Sequence, residues 1–565
     1  MHWKSPVTIG LLLSCVITLL VNAPTLVDRA RFGTWDRPLV ESSADEDEAR
    51  YFARIREVVD GYPLIGNPIL KEHRADISPN GFAEWITAGI IITTGMPLGT
   101  AIALTDIAAT FLNVLLAYLW VWGLLRHPML AVAAATVFWA DVWGVHYLVR
   151  DATKLTLLFP NLFLCLLFLP DRERRWHRLA RGVLLGAMFH TYSYHWTVLA
   201  AFEGLLLLHA LLIRRQPIRA WIADAACVFG PFALLALPYA IALLSRKADP
   251  AFLETYRHFG VIQSRLPGAP ALQAVLWTWL IALVVAWRAR LLTGRRPLLL
   301  LFLLMASVIA VNANVVTGHE ADFQGHYGRF VRLFTVAGLF LCLGIFLLWA
   351  GKWVGVAMTV LVAASVLRTL PVAIAESPLP AWQASDERRV LAWLDERLPA
   401  ESVVLASYNT LARLVPVYTA HYVLTGPGAR IFFATDRELF ERYIVQLAFF
   451  PEDEQPTSIG AQPVFGNYPG QAFARARTTH QLATLFQKPF DKTIADFIPD
   501  QTIRARLERD VHPPAPVEVR SLLRRYAPDV LVTAKPLPRA YADLFTSFER
   551  VGAYTVYRFV PASSP

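Results

Sequence analysis

The stretch RRQPIRAWIADAACVFGPFALLALPYAIALLSRKADP, residues 214–250, decides the fold. It opens on three arginines, runs apolar over 221–244, and closes on a polar segment. A hydrocarbon core about 30 Å thick takes about 20 apolar residues of helix, so the run is read as a membrane span. The pattern repeats along the chain. Apolar segments fall at 7–24, 100–124, 128–146, 155–170, 179–193, 196–213, 221–244, 271–288, 297–316, 331–349 and 353–370, about eleven spans. With the N-terminus inside, the inner loops are RHP (126–128), DRERRWHR (171–178), RRQPIR (214–219), RARLLTGRR (288–296) and GK (351–352), which follow the positive-inside pattern. An odd number of spans leaves the C-terminus outside.

The outer loops are different. Residues 25–83 hold eleven acids against eight Lys and Arg, a net of −3. Residues 245–270 and 317–330 form two more outer loops. Between them and the first span, NGFAEWITAGIIITTGM is apolar but short, and is expected as a helix along the outer interface. The N-terminus, basic and then apolar, reads as an uncleaved signal-anchor.

From about residue 371 the composition turns ordinary. SDERRVLAWLDERLP (385–399) and ATDRELFERYIVQLAFF (434–450) read as capped amphipathic helices. SVVLAS (402–407), HYVLTG (421–426) and PDVLVTA (528–534) read as short buried strands, and ERVGAYTVYRFV (549–560) as terminal strand structure. The expectation is an α-helical polytopic membrane protein with a C-terminal extracytoplasmic α/β domain. Residues 1–370 form the membrane part, including an acidic first outer loop over 25–99, and 371–565 the α/β part. The polar stretch 451–512 is read as an insertion.

Composition excludes several functions. The chain of 565 residues is 55% hydrophobic, so its net charge of +9 marks membrane anchoring and not nucleic acid. Seventeen tryptophans and eighteen tyrosines suit membrane interfaces. The four cysteines, Cys15, Cys165, Cys227 and Cys342, lie in apolar runs and form no CxxC site. No P-loop, strand-borne G-x-G-x-x-G, H-E-x-x-H or G-x-S-x-G is present.

Polar density gathers at one membrane face. Arg150, Lys154, Tyr192, His195, His319, Glu320, His326, Arg329 and Arg332 all fall in or beyond the outer halves of spans, and ionisable groups at such depth usually face a cavity. Glu203 is grouped with them, with a helix-packing role satisfied by a neighbour as the plainer reading. HTYSYHW (190–196) is either an interfacial aromatic belt or a substrate contact.

Many spans, the first-loop run DEARYFARIREV (47–58), DGYPLIGNP (60–68) followed by KEH (71–73), N-V-V-T-G-H-E (314–320) and a C-terminal outer domain together resemble the GT-C superfamily of membrane glycosyltransferases, in a bacterial branch. The resemblance implies a bacterial inner-membrane enzyme that moves a sugar from a polyprenyl-phosphate carrier to an extracytoplasmic glycan, lipid or protein. Asp47 is the first choice of general base because it leads the D-E-x-x-Y pattern; Glu48 is second. Arg150, Arg329 and Arg332, with Lys154, would hold the carrier phosphate. His319, Glu320 and His326 would line the site, or with a divalent cation form a metal site on an H-E-x5-H spacing. A transporter of a lipid-linked glycan and a non-catalytic envelope scaffold are the rival functions.

Overall fold

The computed structural model describes residues 6–35, 46–76, 81–143, 151–168, 175–258, 260–268, 270–290, 292, 294–320, 360, 379–408, 410–451, 462–466, 468–508 and 515–560. The first nine apolar segments are helical where described. They correspond to α1 (Pro6–Val21), α5 (Leu98–Leu125), α6 (Pro128–Trp143), α7 (Asp151–Phe168), α8 (Arg175–Phe189), α9 (Ser193–Leu212), α10 (Ile218–Ser245), α12 (Pro270–Arg288) and α13 (Arg296–Val311). The helix α2 (Ala23–Phe32) follows α1 at a bend of 60°. The expected spans over 331–349 and, residue 360 apart, 353–370 lie outside the described residues.

The count of about eleven spans needs correction in one respect. Among the described residues three helices are long and apolar enough to cross a membrane by themselves, or four if the bent pair α1–α2 is one span. Of the others, α13, bounded by described residues at both ends, has 16 residues and covers about 24 Å at 1.5 Å per residue, less than the hydrocarbon thickness. Hydropathy marked where apolar sequence lies, but not how much of each run winds into one uninterrupted helix.

The segments between spans carry α3 (Glu46–Val59), α4 (Phe82–Thr94), α11 (Pro250–His258) and α14 (Ala313–Thr317). The short strands β1 (Ile262–Gln263) and β2 (His319–Glu320) pair antiparallel and so join the second and third outer loops.

The C-terminal region has a five-stranded sheet in the order β4-β3-β5-β7-β6. Its strands are β3 (Val403–Ala406), β4 (Tyr422–Val423), β5 (Val530–Thr533), β6 (Phe545–Val551) and β7 (Tyr554–Phe559). β3 lies parallel to both β4 and β5, while the β6–β7 hairpin is antiparallel and pairs with β5 through β7. The two capped helices appear as Asp386–Arg397 and Asp436–Phe449, with Ser385 and Thr435 accepting from the backbone N–H of Arg388 and Glu438. The described part of the insertion is helical too, chiefly over Tyr468–Ala483.

One hydrophobic core unites this sheet with the first outer loop. Ala49, Phe52, Ile55, Ile69 and Leu70 are buried together with Val404, Val415, Leu424 and Ile444, and with Ala101 and Ile102 at the start of α5. The loop also covers an edge of the sheet. The Val423 N–H on edge strand β4 donates to the Ile69 carbonyl at 3.0 Å, which satisfies a group that an open edge would expose.

Candidate functional site

The first outer loop is built around a tight turn. Gly66 stands where a Cβ would lie 1.8 Å from the Arg74 carbonyl oxygen, so only glycine fits. Asn67, fully buried, accepts from the N–H groups of Ile69 and Leu70 at 2.9 and 3.1 Å, and its own N–H donates to the His73 carbonyl. The turn therefore presents Tyr62, Glu72, His73, Arg74 and Asp76 from one compact frame.

Those side chains clasp the C-terminal domain. His73 Nδ1 lies 2.8 Å from Asp76 and Nε2 lies 2.9 Å from Glu438. Burial opposes charge on His73, but the hydrogen bonds to Asp76 and Glu438 prevail and push it up to about 9, so the imidazolium donates to both carboxylates at neutral pH. Arg442, with no exposed surface, donates to Glu438, to Glu72 at 2.8 Å and to the Leu424 carbonyl at 2.9 Å. The second outer loop joins the same place. Arg246 pairs with Asp76, while Arg257 and His258 meet Asp436 at 2.9 and 2.6 Å. Thr255 donates to the Phe432 carbonyl at 3.2 Å.

Between α3 and the sheet lies a cavity of about 180 Å³, lined by Arg56, Glu57, Asp60, Tyr62, Glu401 and Tyr422 among others. Glu57 is 5% exposed and accepts from the Tyr422 hydroxyl at 2.7 Å. Burial pushes its carboxyl up to about 7, against the pull of that hydrogen bond. Asp60 receives Arg56 through both oxygens at 2.9 Å. Glu401 receives Arg74 at 2.5 Å and the Tyr62 hydroxyl. Asp60 and Glu401 are thus each paired with an arginine and Glu57 with a tyrosine hydroxyl, and these contacts seat α3 on the domain.

A second meeting point lies at the start of α4. Arg54 of α3 sits 3.1 Å from Glu84 of α4, and both are buried. The Phe82 N–H donates to the His190 carbonyl at 3.1 Å, which ties α4 to the turn between α8 and α9. Ala83 packs with Leu155 of α7 and Ala109 of α5, and the Phe82 and Phe159 rings lie 5.7 Å apart.

Of the expected site residues, the structure brings the elements bearing Asp47, Glu48, Lys154, Tyr192 and His195 to this point and shows no such contact for His319 and Glu320. Asp47 and Glu48 stand in the first turn of α3, about 15 Å along the helix axis from Glu57, and their side chains lie outside the described residues. Lys154 belongs to α7 one residue before Leu155, with its side chain likewise outside. Tyr192 precedes α9 and His195 lies in its first turn, close to His190 in sequence, with the two rings 4.8 Å apart and His195 2% exposed. His319 and Glu320 form β2; His319 is exposed, and Glu320 is buried and paired with Arg475 of the helix Tyr468–Ala483. Arg150, His326, Arg329 and Arg332 lie outside the described residues. Among the described residues no three His, Cys, Asp or Glu side chains group as a metal centre would require. Glu203 pairs with Arg181 at 2.6 Å, both buried, in agreement with a helix-packing residue satisfied by a neighbour.

Sequence reasoning passed over Glu57, Glu84, Asp436 and Arg442. A signal existed for Glu57. It follows Ala49, Phe52 and Ala53 at helical spacing on the buried stripe of α3, where an acid is out of place.

No family model matches the chain, and no curated protein matches it in sequence. Among solved structures it is similar to the crystal structure of ArnT from Cupriavidus metallidurans in the apo state, at 13% identity and a TM-score of 0.44, over 74% of this chain and 84% of that one.

Proposed function

We propose that the chain is a membrane glycosyltransferase that moves a sugar from a polyprenyl-phosphate carrier to an acceptor on the extracytoplasmic face of a bacterial inner membrane. The observation that supports this is the convergence at the start of α4. The helix bearing Asp47 and Glu48, the helix bearing Lys154 and the α8–α9 connection, next to Tyr192 and to His195 in the first turn of α9, all meet there. All three outer loops are also tied to the C-terminal domain, the third through Glu320 and Arg475. The arginine-rich loops lie at the other ends of the same helices, as a cytosolic face requires.

In this reading Asp47 takes the proton of the acceptor nucleophile as it attacks the anomeric carbon, with Glu48 as second candidate. The transition state has oxocarbenium character and the leaving group is a lipid phosphate. Arg150, Arg329 and Arg332, supported by Lys154, stabilise the charge growing on that phosphate. His319, Glu320 and His326 border the site. Residues 1–370 supply the membrane part and 371–565 the roof that, with the first loop, shields the reacting centre.

The test is sugar transfer in membranes from labelled polyprenyl-phosphate sugars, compared between the wild type, Asp47→Asn and Arg329→Ala. Loss of a general base lowers turnover by about 10²- to 10⁴-fold. Normal turnover in Asp47→Asn at unchanged protein level removes Asp47 from the base role.

A further inference from the structure

The insertion in the C-terminal domain carries a projecting turn that the transfer reading does not use. The helix Tyr468–Ala483 runs into residues 484–493, and the chain returns through Ile494–Phe497 and Gln501–Glu508. Ile503 and Leu507 of the returning segment are buried in the domain core. The turn itself has a built frame. His480 Nε2 lies 3.3 Å from the Lys488 carbonyl oxygen, and the Phe490 ring packs 5.4 Å from His480 and 5.8 Å from Phe473. Thr493 and Asp496 form the capping box that starts the return.

Leu485 and Phe486 stand outside that frame. They are 75% and 71% exposed, and Leu482, one helical turn earlier, is 51% exposed. Both take a positive φ, 49° and 64°, where a bulky side chain is crowded and glycine is the natural occupant. The Phe486 N–H donates to the Gln481 carbonyl at 2.8 Å, a helix ending that glycine usually closes. Two large apolar side chains thus occupy a strained, exposed turn that glycine would relieve. Exposed apolar surface held against local backbone preference marks a contact outside the fold.

The course of the helix indicates which contact. Tyr468 lies in the field of Arg257 and Asp436, where the second outer loop meets the domain. Further along, Arg475 pairs with Glu320 of the third outer loop. Glu320 follows closely on α14 at the outer end of α13, and Val315 and Val316 of α14 are 39% and 81% exposed. The helix therefore leaves the domain and passes the level at which a membrane helix ends. From Arg475 to Leu485 it covers about 15 Å, a distance over which a headgroup layer is within reach.

We propose that this turn inserts into the leaflet beside the C-terminal domain, with Leu485 and Phe486 at the acyl boundary and Lys488 and Lys492 at lipid phosphates. Both lysines are exposed, and their long stems let an ammonium group stay at the phosphates while its neighbours enter the apolar layer. Asp491, also exposed, lies between them in sequence, so the apolar pair supplies most of the attachment and an anionic lipid is not required. The turn is separate from the proposed transfer centre, and the inference holds whether or not the chain transfers sugar.

The experiment places a nitroxide on Phe486→Cys, and separately on Leu485→Cys, in the full chain reconstituted into phosphatidylcholine nanodiscs. The signal of identically labelled wild type is subtracted to remove the native cysteines. Val517→Cys, at a position 79% exposed where another helix of the domain starts, serves as the reference. Collision with oxygen, which concentrates in lipid, should exceed collision with a water-soluble nickel chelate severalfold at positions 485 and 486, and the order should reverse at 517. A benzophenone side chain in place of Phe486 should, on illumination in membranes, add the mass of a lipid to the protein. Preferential collision with the nickel chelate at both positions, shielding of both from either reagent, or crosslinking to a second copy or another protein in place of lipid would each overturn the proposal.

Discussion

Replacing Glu57 by glutamine should make the junction between the first outer loop and the C-terminal domain less sensitive to pH. The Glu57 carboxyl titrates at about 7 in the folded protein, against 4.5 for a free side chain, chiefly because burial disfavours its charge. The two values lie about 2.5 pH units apart, which corresponds to about 3 kcal/mol. The sign follows from proton binding. Between pH 4.5 and 7 the folded state keeps a proton that the unfolded chain releases, so this contribution is full below 4.5 and is lost as pH rises through 7. Glutamine has no titratable proton, and its amide oxygen can still accept from Tyr422. The assay is thermal unfolding in detergent at pH 5 and pH 8. For a cooperative unit of 150–250 residues, about 3 kcal/mol corresponds to roughly 6–12 °C. The wild type should lose that much more than Glu57→Gln between the two pH values, so that the variant is the more stable protein at pH 8. Parallel pH profiles for the two proteins would refute the buried, protonatable carboxyl.

Two further outcomes concern the same junction. Gly66→Ala places a methyl group against the Arg74 carbonyl and should cost about 3 kcal/mol or more, seen as a lowered unfolding temperature and faster proteolysis within 60–76. His73, held up to about 9 by Asp76 and Glu438, contributes stability that is full below pH 6.5 and is lost as pH rises through 9. Hydrogen exchange of residues 69–76, corrected for intrinsic rate, should therefore speed up between pH 8 and 10 in the wild type, and no such step should remain in His73→Gln.

The parts of the fold legible in the sequence were those governed by local rules. Apolar runs marked the membrane helices, and Ser385 and Thr435 marked the starts of two helices because capping is settled within four residues. Strands 402–407 and 528–534 showed as short branched-aliphatic runs because parallel strands are buried on both faces. Contacts between distant segments were not legible. Glu72 and Arg442, 370 positions apart, are each ordinary charged residues on a polar background until the fold brings them within 2.8 Å. The run DGYPLIGNP was singled out as a motif, but its physical meaning rests on Arg74, eight residues after Gly66 and folded back onto it. Of the expected site, the sequence identified helices and turns that meet at α4, while Glu84, which joins α3 to α4, was hidden inside an apolar stretch.

The most direct measurement uses a photoactivatable polyprenyl-phosphate sugar, crosslinked to the protein in membranes and mapped by peptide mass spectrometry. The account predicts label in the first turn of α3, at the start of α7 and in residues 319–332, with Asp47→Asn labelled as well as the wild type but inactive in transfer. Label confined to the arginine-rich loops 171–178, 214–219 and 288–296, or none within the outer loops, would contradict it.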